Sequence, residues 1–122
     1  MKSYLASRPR LAAFRDVSVD DVRSRIPETQ STIFHVGRFP ETFAGCDWPI
    51  AFAHIDADIY QSVLDASAFS YEHLVPGGII IYDDYGYPSC PGARRAVDEF
   101  YADKPERPLV LNTGQAIVTR LR

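Results

Sequence analysis

Cysteine is scarce in this chain. Cys46 and Cys90 are the only two in 122 residues, and they lack metal-ligand spacing. That speaks against a disulfide framework and a thiolate metal site, so both are read as reduced thiols of core or loop. An excess of one charge is also missing: the formal net charge is −3, which argues against a nucleic-acid-binding surface. No apolar run approaches the roughly 18 residues of a membrane span. The first ten residues are broken by charge and by Pro9 before an apolar signal core can form. A soluble cytoplasmic protein is the expectation, with neither nucleic acid nor membrane among its partners.

What is present reads as globular. Hydrophobic residues make up 46% and charged residues 24%, close to ordinary averages. The length suits one domain over residues 1–122 with a modest core. Residues 1–16 carry no clean period and form a poorly determined lead-in. Ser18 is placed as an N-cap with Asp21 three positions on, an acidic capping box. Val19, Val22 and Ile26 give that short helix a narrow apolar face, and Pro27 ends it. Residues 31–36 are rich in β-branched and aromatic side chains and are placed as a strand bounded by Gly37. Pro40 opens a single helical turn.

The organising stretch is Ile50 to Tyr85. Ile50 to Ile55 contains no charge and no clean alternation, which suits a strand buried on both faces. Helical spacing then links Tyr60, Val63, Leu64, Ser67, Ala68, Tyr71 and Leu74. Pro76-Gly77-Gly78 is expected to stop that helix and start a strand at Ile79. A second helix puts Ala93, Ala96, Val97 and Phe100 inward and Arg94, Arg95, Asp98 and Glu99 outward. Residues 108–111 and 116–119 form a strand pair around Asn112-Thr113-Gly114. The order predicts an α/β fold with a mostly parallel sheet and an antiparallel finish.

Each central strand runs straight into acids: Asp56 and Asp58 after the first, Asp83 and Asp84 after the second. A helix between two strands makes them parallel, and a right-handed crossover brings both carboxyl ends to one edge. Carboxylates gathered at an edge disfavour one another's ionisation unless a counter-charge joins them. A hard divalent cation such as Mg²⁺ is the natural one. The plainer alternative is that these aspartates are caps and turn residues. For Asp58, cap and functional carboxylate both stay open. Tyr85 and Tyr87 follow the acid pair and are placed as walls of a substrate pocket, with loop packing as the alternative. His54 is read as a core histidine. Cys90 lacks a neighbouring base and is not read as a nucleophile.

Four segments carry a family resemblance: Phe39-Pro40-Glu41-Thr42-Phe43, His54 to Tyr60, Pro76 to Gly86, and Gly92 to Phe100. In register they resemble the macrocin O-methyltransferases, S-adenosylmethionine-dependent enzymes that methylate sugar hydroxyls. The resemblance implies that Asp56, Asp83 and Asp84 hold Mg²⁺, which chelates neighbouring hydroxyls of a small-molecule glycoside and acidifies the attacking one. More distant catechol-type enzymes place a lysine where this chain has Ile59, so Asp58 is the candidate base. The family's glycine-rich cofactor turn has no counterpart before residue 37, and no residue is assigned to the cofactor. The resemblance therefore implies a partial Rossmann-like class I methyltransferase sheet lacking the first two strands, a C-terminal portion inactive as an isolated chain. It also implies a bare edge on the strand at Ile50–Ile55, and homo-oligomerisation or aggregation through it. The competing reading is a non-catalytic metal-binding or assembly module on the same fold. A phosphoryl hydrolase would need a nucleophilic Asp with a nearby hydroxyl residue and lysine, a set not evident here.

Overall fold

The computed structural model describes residues 18–26 and 31–122. The expected lead-in and the Pro27 stop lie outside those residues. The chain divides into two compact units, 1–36 and 37–122. In the first, α1 (Val19–Arg25) begins at the expected capping box: Ser18 Oγ accepts from the Asp21 N–H while Asp21 accepts from the Ser18 N–H. Residues 31–36 are not a strand, contrary to expectation. A strand needs a partner backbone to satisfy its N–H and C=O groups, and no described ladder includes this segment.

The second unit opens with a 3₁₀ turn at Glu41–Phe43 and continues through β1 (Ile50–Ile55), α2 (Tyr60–His73), β2 (Leu74–Tyr82), α3 (Pro91–Tyr101), β3 (Leu109–Val110) and β4 (Ala116–Thr119). The sheet order is β1-β2-β4-β3. β1 and β2 are parallel, as the α2 crossover requires, and the C-terminal pair is antiparallel. β4 inserts antiparallel between β2 and β3, so the sheet is mixed.

α2 ends at His73, earlier than the Pro-Gly-Gly signal suggested. Pro76 disfavours helix at Val75, and Leu74 is already extended and buried as the first residue of β2. The ladder then jumps from Ile50–Leu74 to Phe52–Ile79. The surplus backbone is tied to the end of β4, with the Gly77 N–H donating to Arg120 O and the Arg120 N–H to Gly78 O.

The core lies between the two helices and one face of the sheet. Ile80 and Tyr82 of β2, Ala116 and Val118 of β4, Val63 and Ser67 of α2, and Ala93, Ala96, Val97 and Tyr101 of α3 are all buried. The inward face of α3 is thus close to that expected, with Tyr101 deeper than Phe100. Its outward face carries i,i+4 ion pairs, Arg94–Asp98 and Arg95–Glu99. β1 is an edge strand, as the resemblance implied. Phe52 is 59% exposed, so the strand is not buried on both faces as its composition suggested. Its uncharged sequence reflects the sheet it borders rather than complete enclosure.

The hydroxyls of Tyr82 and Tyr101 meet at 3.1 Å inside this core. Replacing either tyrosine by phenylalanine leaves the other hydroxyl without that partner, at a cost of about 1–3 kcal/mol. Tyr82→Phe combined with Tyr101→Phe is expected to cost less than the sum of the two, as read by urea unfolding.

Candidate metal centre at the carboxyl edge

Register builds this site. Ile55 pairs with Tyr82 across the parallel ladder, and the Asp83 N–H donates to Ile55 O at 2.9 Å. Asp56 and Asp83, the next residues on each strand, therefore emerge side by side. Tyr82 pairs with Ala116 on its other side, which sets Gln115 opposite Asp83. Continuing the strand alternation, His54, Asp56, Asp83 and Gln115 share the sheet face opposite the helices. Asp84 enters from the turn that follows β2.

One oxygen from each of Asp56, Asp83 and Asp84 lies within 4.8 Å of the other two. An octahedral Mg²⁺ about 2.1 Å from each oxygen separates its ligands by about 3 to 4.2 Å, so only a small closure is needed. Hard oxygen donors with room for water suit that ion. Electrostatics point the same way: burial, with the charges of Asp58 and Asp56 adding to it, pushes the Asp84 carboxyl above its ordinary value. A cation at this corner would stabilise the buried carboxylate and offset the neighbouring charges.

Asp83 is held in the opposite direction. Gln115 Nε2 donates to Asp83 Oδ1 at 2.7 Å and His54 Nε2 meets the same oxygen at 3.2 Å. The Gln115 hydrogen bond, helped by His54, keeps this carboxyl below its ordinary value against the cost of burial. His54 is therefore no enclosed core histidine; its side chain is 46% exposed and it serves the acid edge. Gln115 escaped the sequence reading, because its role depends on β4 lying beside β2. Antiparallel pairing of residues 116–119 with β2 was the signal that would have found it.

Asp58 does not cap α2. The N-cap position is Ile59, without a side-chain bond, while Asp58 adopts φ +57. Aspartate tolerates that left-handed conformation better than most residues. The Asp58 N–H donates to Asp84 Oδ2 at 3.2 Å, and the Cys90 thiol donates to Asp58 Oδ1 at 3.7 Å. Burial pushes that thiol up, with Asp84 and Asp58 adding to the shift, so Cys90 rests protonated and unreactive. Neither cysteine is in a disulfide. The two tyrosines part company. Tyr85 is buried and its hydroxyl donates to Asp98 at 2.7 Å, whereas Tyr87 is exposed against the Gly114 turn. That turn approaches the acid loop closely: the Gly86 N–H donates to Gly114 O, and a Cβ on Gly86 would stand 2.8 Å from Gly114 Cα.

Comparison with known proteins gives a consistent result. A family model described as macrocin-O-methyltransferase (TylF) matches residues 10–111. The mycinamicin III 3″-O-methyltransferase of Micromonospora griseorubida is 39% identical over 51 residues, 42% of this chain and 19% of that protein. The solved structure of the O-methyltransferase NovP superposes with a TM-score of 0.54 at 31% identity, over 59% of this chain and 30% of that one. CalS11, a TDP-rhamnose 3′-O-methyltransferase of calicheamicin biosynthesis, gives 0.51 at 22% identity, over 58% and 32%, which supports the fold alone. The chain thus spans about a fifth of the curated relative and about a third of the solved ones. No helix of the described residues is long and apolar enough to cross a membrane.

Asp84→Asn isolates the strain of the acid corner. Because the folded carboxyl binds its proton more tightly than the unfolded one, its charge costs stability at pH values above both pKa values. Without metal the variant should melt a few degrees above wild type at pH 7. The gap should shrink as pH falls through the raised value, which thermal melts in EDTA at stepped pH will show.

Proposed function

The chain belongs to the macrocin O-methyltransferase family, and from that premise we propose that it is the metal-holding, acceptor-binding part of a sugar O-methyltransferase. The observation that carries this is the convergence of Asp56, Asp83 and Asp84 from two strands and a turn onto one point. Those three would hold Mg²⁺, which when bound supplies Lewis-acid polarisation to a substrate hydroxyl. The rest falls to the chain itself. His54 and Gln115 keep Asp83 ionised and oriented, and Asp58, whose N–H donates to Asp84, is the proposed base for the proton the acceptor hydroxyl gives up. The exposed Tyr87 offers an apolar wall for a glycoside ring beside the corner.

S-adenosylmethionine is the methyl donor the family implies. Among the described residues no strand leads through a glycine-rich turn into a helix, so no residue is assigned to it and no step is derived through it. The proposed state of this chain is metal-competent and catalytically inactive. Titration calorimetry with Mg²⁺ and with S-adenosylmethionine separately tests both halves. Binding of metal without cofactor is expected, and Asp83→Ala should abolish the metal heat. Absence of metal binding by the wild-type chain sinks the reading, and micromolar cofactor binding sinks the claim of inactivity.

The assembly alternative draws on the outer edge of β1. That edge strand borders an apolar groove lined by Phe39, Phe43, Trp48, Phe52 and Phe69, and its outer side, which pairs with no strand among the described residues, suits strand pairing with a second copy. Light scattering should show dimers or larger species, and Phe52→Lys should shift them toward monomer. A monodisperse wild-type monomer at micromolar concentration contradicts association.

A further inference from the structure

Gln115 reaches the acid corner from the C-terminal hairpin with a defined direction. Its backbone is fixed by the turn, since Gln115 O accepts from the Leu111 N–H at 2.8 Å and the Gln115 N–H donates to Thr113 Oγ1 at 3.4 Å. Its amide is oriented as well. The Thr113 hydroxyl donates to Gln115 Oε1 at 3.3 Å, which leaves Nε2 to face Asp83 at 2.7 Å. A flipped amide would set its oxygen against the carboxylate and lose both contacts.

The consequence for Asp83 is an asymmetry. Oδ1 carries both Gln115 and His54, whereas no donor among the described residues reaches Oδ2. The geometry points to Gln115 as a positioning residue: anchored by Thr113, it commits Asp83 Oδ1 to the protein and so presents Oδ2 to the cation beside Asp56 and Asp84. The hairpin thus sets the shape of the metal corner although it contributes no metal ligand. This rests on the metal reading above. Partners of this kind, hydrogen-bonded to a ligand and not to the ion, orient it, and their loss weakens metal affinity by about 10–100-fold.

The test uses Mn²⁺ as the probe, with affinity from calorimetry and the environment of the bound ion from electron paramagnetic resonance. Gln115→Met keeps the volume of the side chain and removes the amide. It should weaken Mn²⁺ binding by about 10-fold or more and alter the bound-ion line shape. Thr113→Val leaves the glutamine in place but frees its amide to flip, and should shift affinity in the same direction by less. Tyr101→Phe, which lowers stability from within the core, should keep the wild-type line shape and thereby separates positioning from a general loss of stability. Wild-type affinity and line shape in Gln115→Met overturn the positioning role while the metal site stands. If the wild-type chain binds no Mn²⁺, the metal reading fails, and the positioning role with it.

Discussion

The parallel register of β1 on β2 is the constraint on which the rest of the molecule depends. With Ile55 opposite Tyr82, the two strands deliver Asp56 and Asp83 to neighbouring positions at one edge. A shift of one residue would turn one of these carboxylates to the helix side of the sheet. The register is secured by what lies beneath it. Tyr82 is fully buried, its ring packed in the core between the sheet and the helices. The last residue of the strand is thereby pinned, and the first acid after it is placed with little freedom.

Gathering acids at that edge has an energetic cost, and the surroundings answer it unevenly. Asp83 receives two partners on one oxygen and is kept ionised, whereas Asp84 is pushed toward protonation by burial and, to a lesser degree, by the charges of Asp58 and Asp56. A folded protein can carry such a corner because the helices and β4 supply the stability the corner lacks. Functional sites commonly hold locally unfavourable arrangements of this sort. The close approach of Gly86 to Gly114 belongs to the same design: two residues without side chains let the hairpin turn press against the acid loop.

The far side of the sheet tells a complementary story. Phe52 is largely open, and Ile79, Ile81 and Ile117 are only partly covered. Within the second unit α2 and α3 cover one face, so the acid edge borders an apolar surface on the other.

Local pattern was enough to place most elements of the second unit. The capping box of α1, the helical spacing of α2 and α3 and the acids closing β1 and β2 are each written in a few neighbouring residues, because caps, periodicity and turns are short-range physics. The gathering of acids at one edge followed from a single topological step, the parallel crossover, while the choice of Asp56, Asp83 and Asp84 among them came with the family resemblance. Sequence was misleading where a residue's state depends on a distant partner. Residues 31–36 have strand composition but no described neighbour to pair with, and Asp58 looks like a cap until the backbone turns left-handed. His54 has the setting of a core histidine but ends at an exposed edge. Gln115 was invisible for the same reason: only the insertion of β4 beside β2 brings it to Asp83, across 32 residues of chain. The sequence by itself determined that the carboxylates share one edge, since strand direction and crossover handedness suffice for that. The tertiary structure decided how each is held, because hydrogen-bond partners and burial are set by contacts that no local pattern encodes.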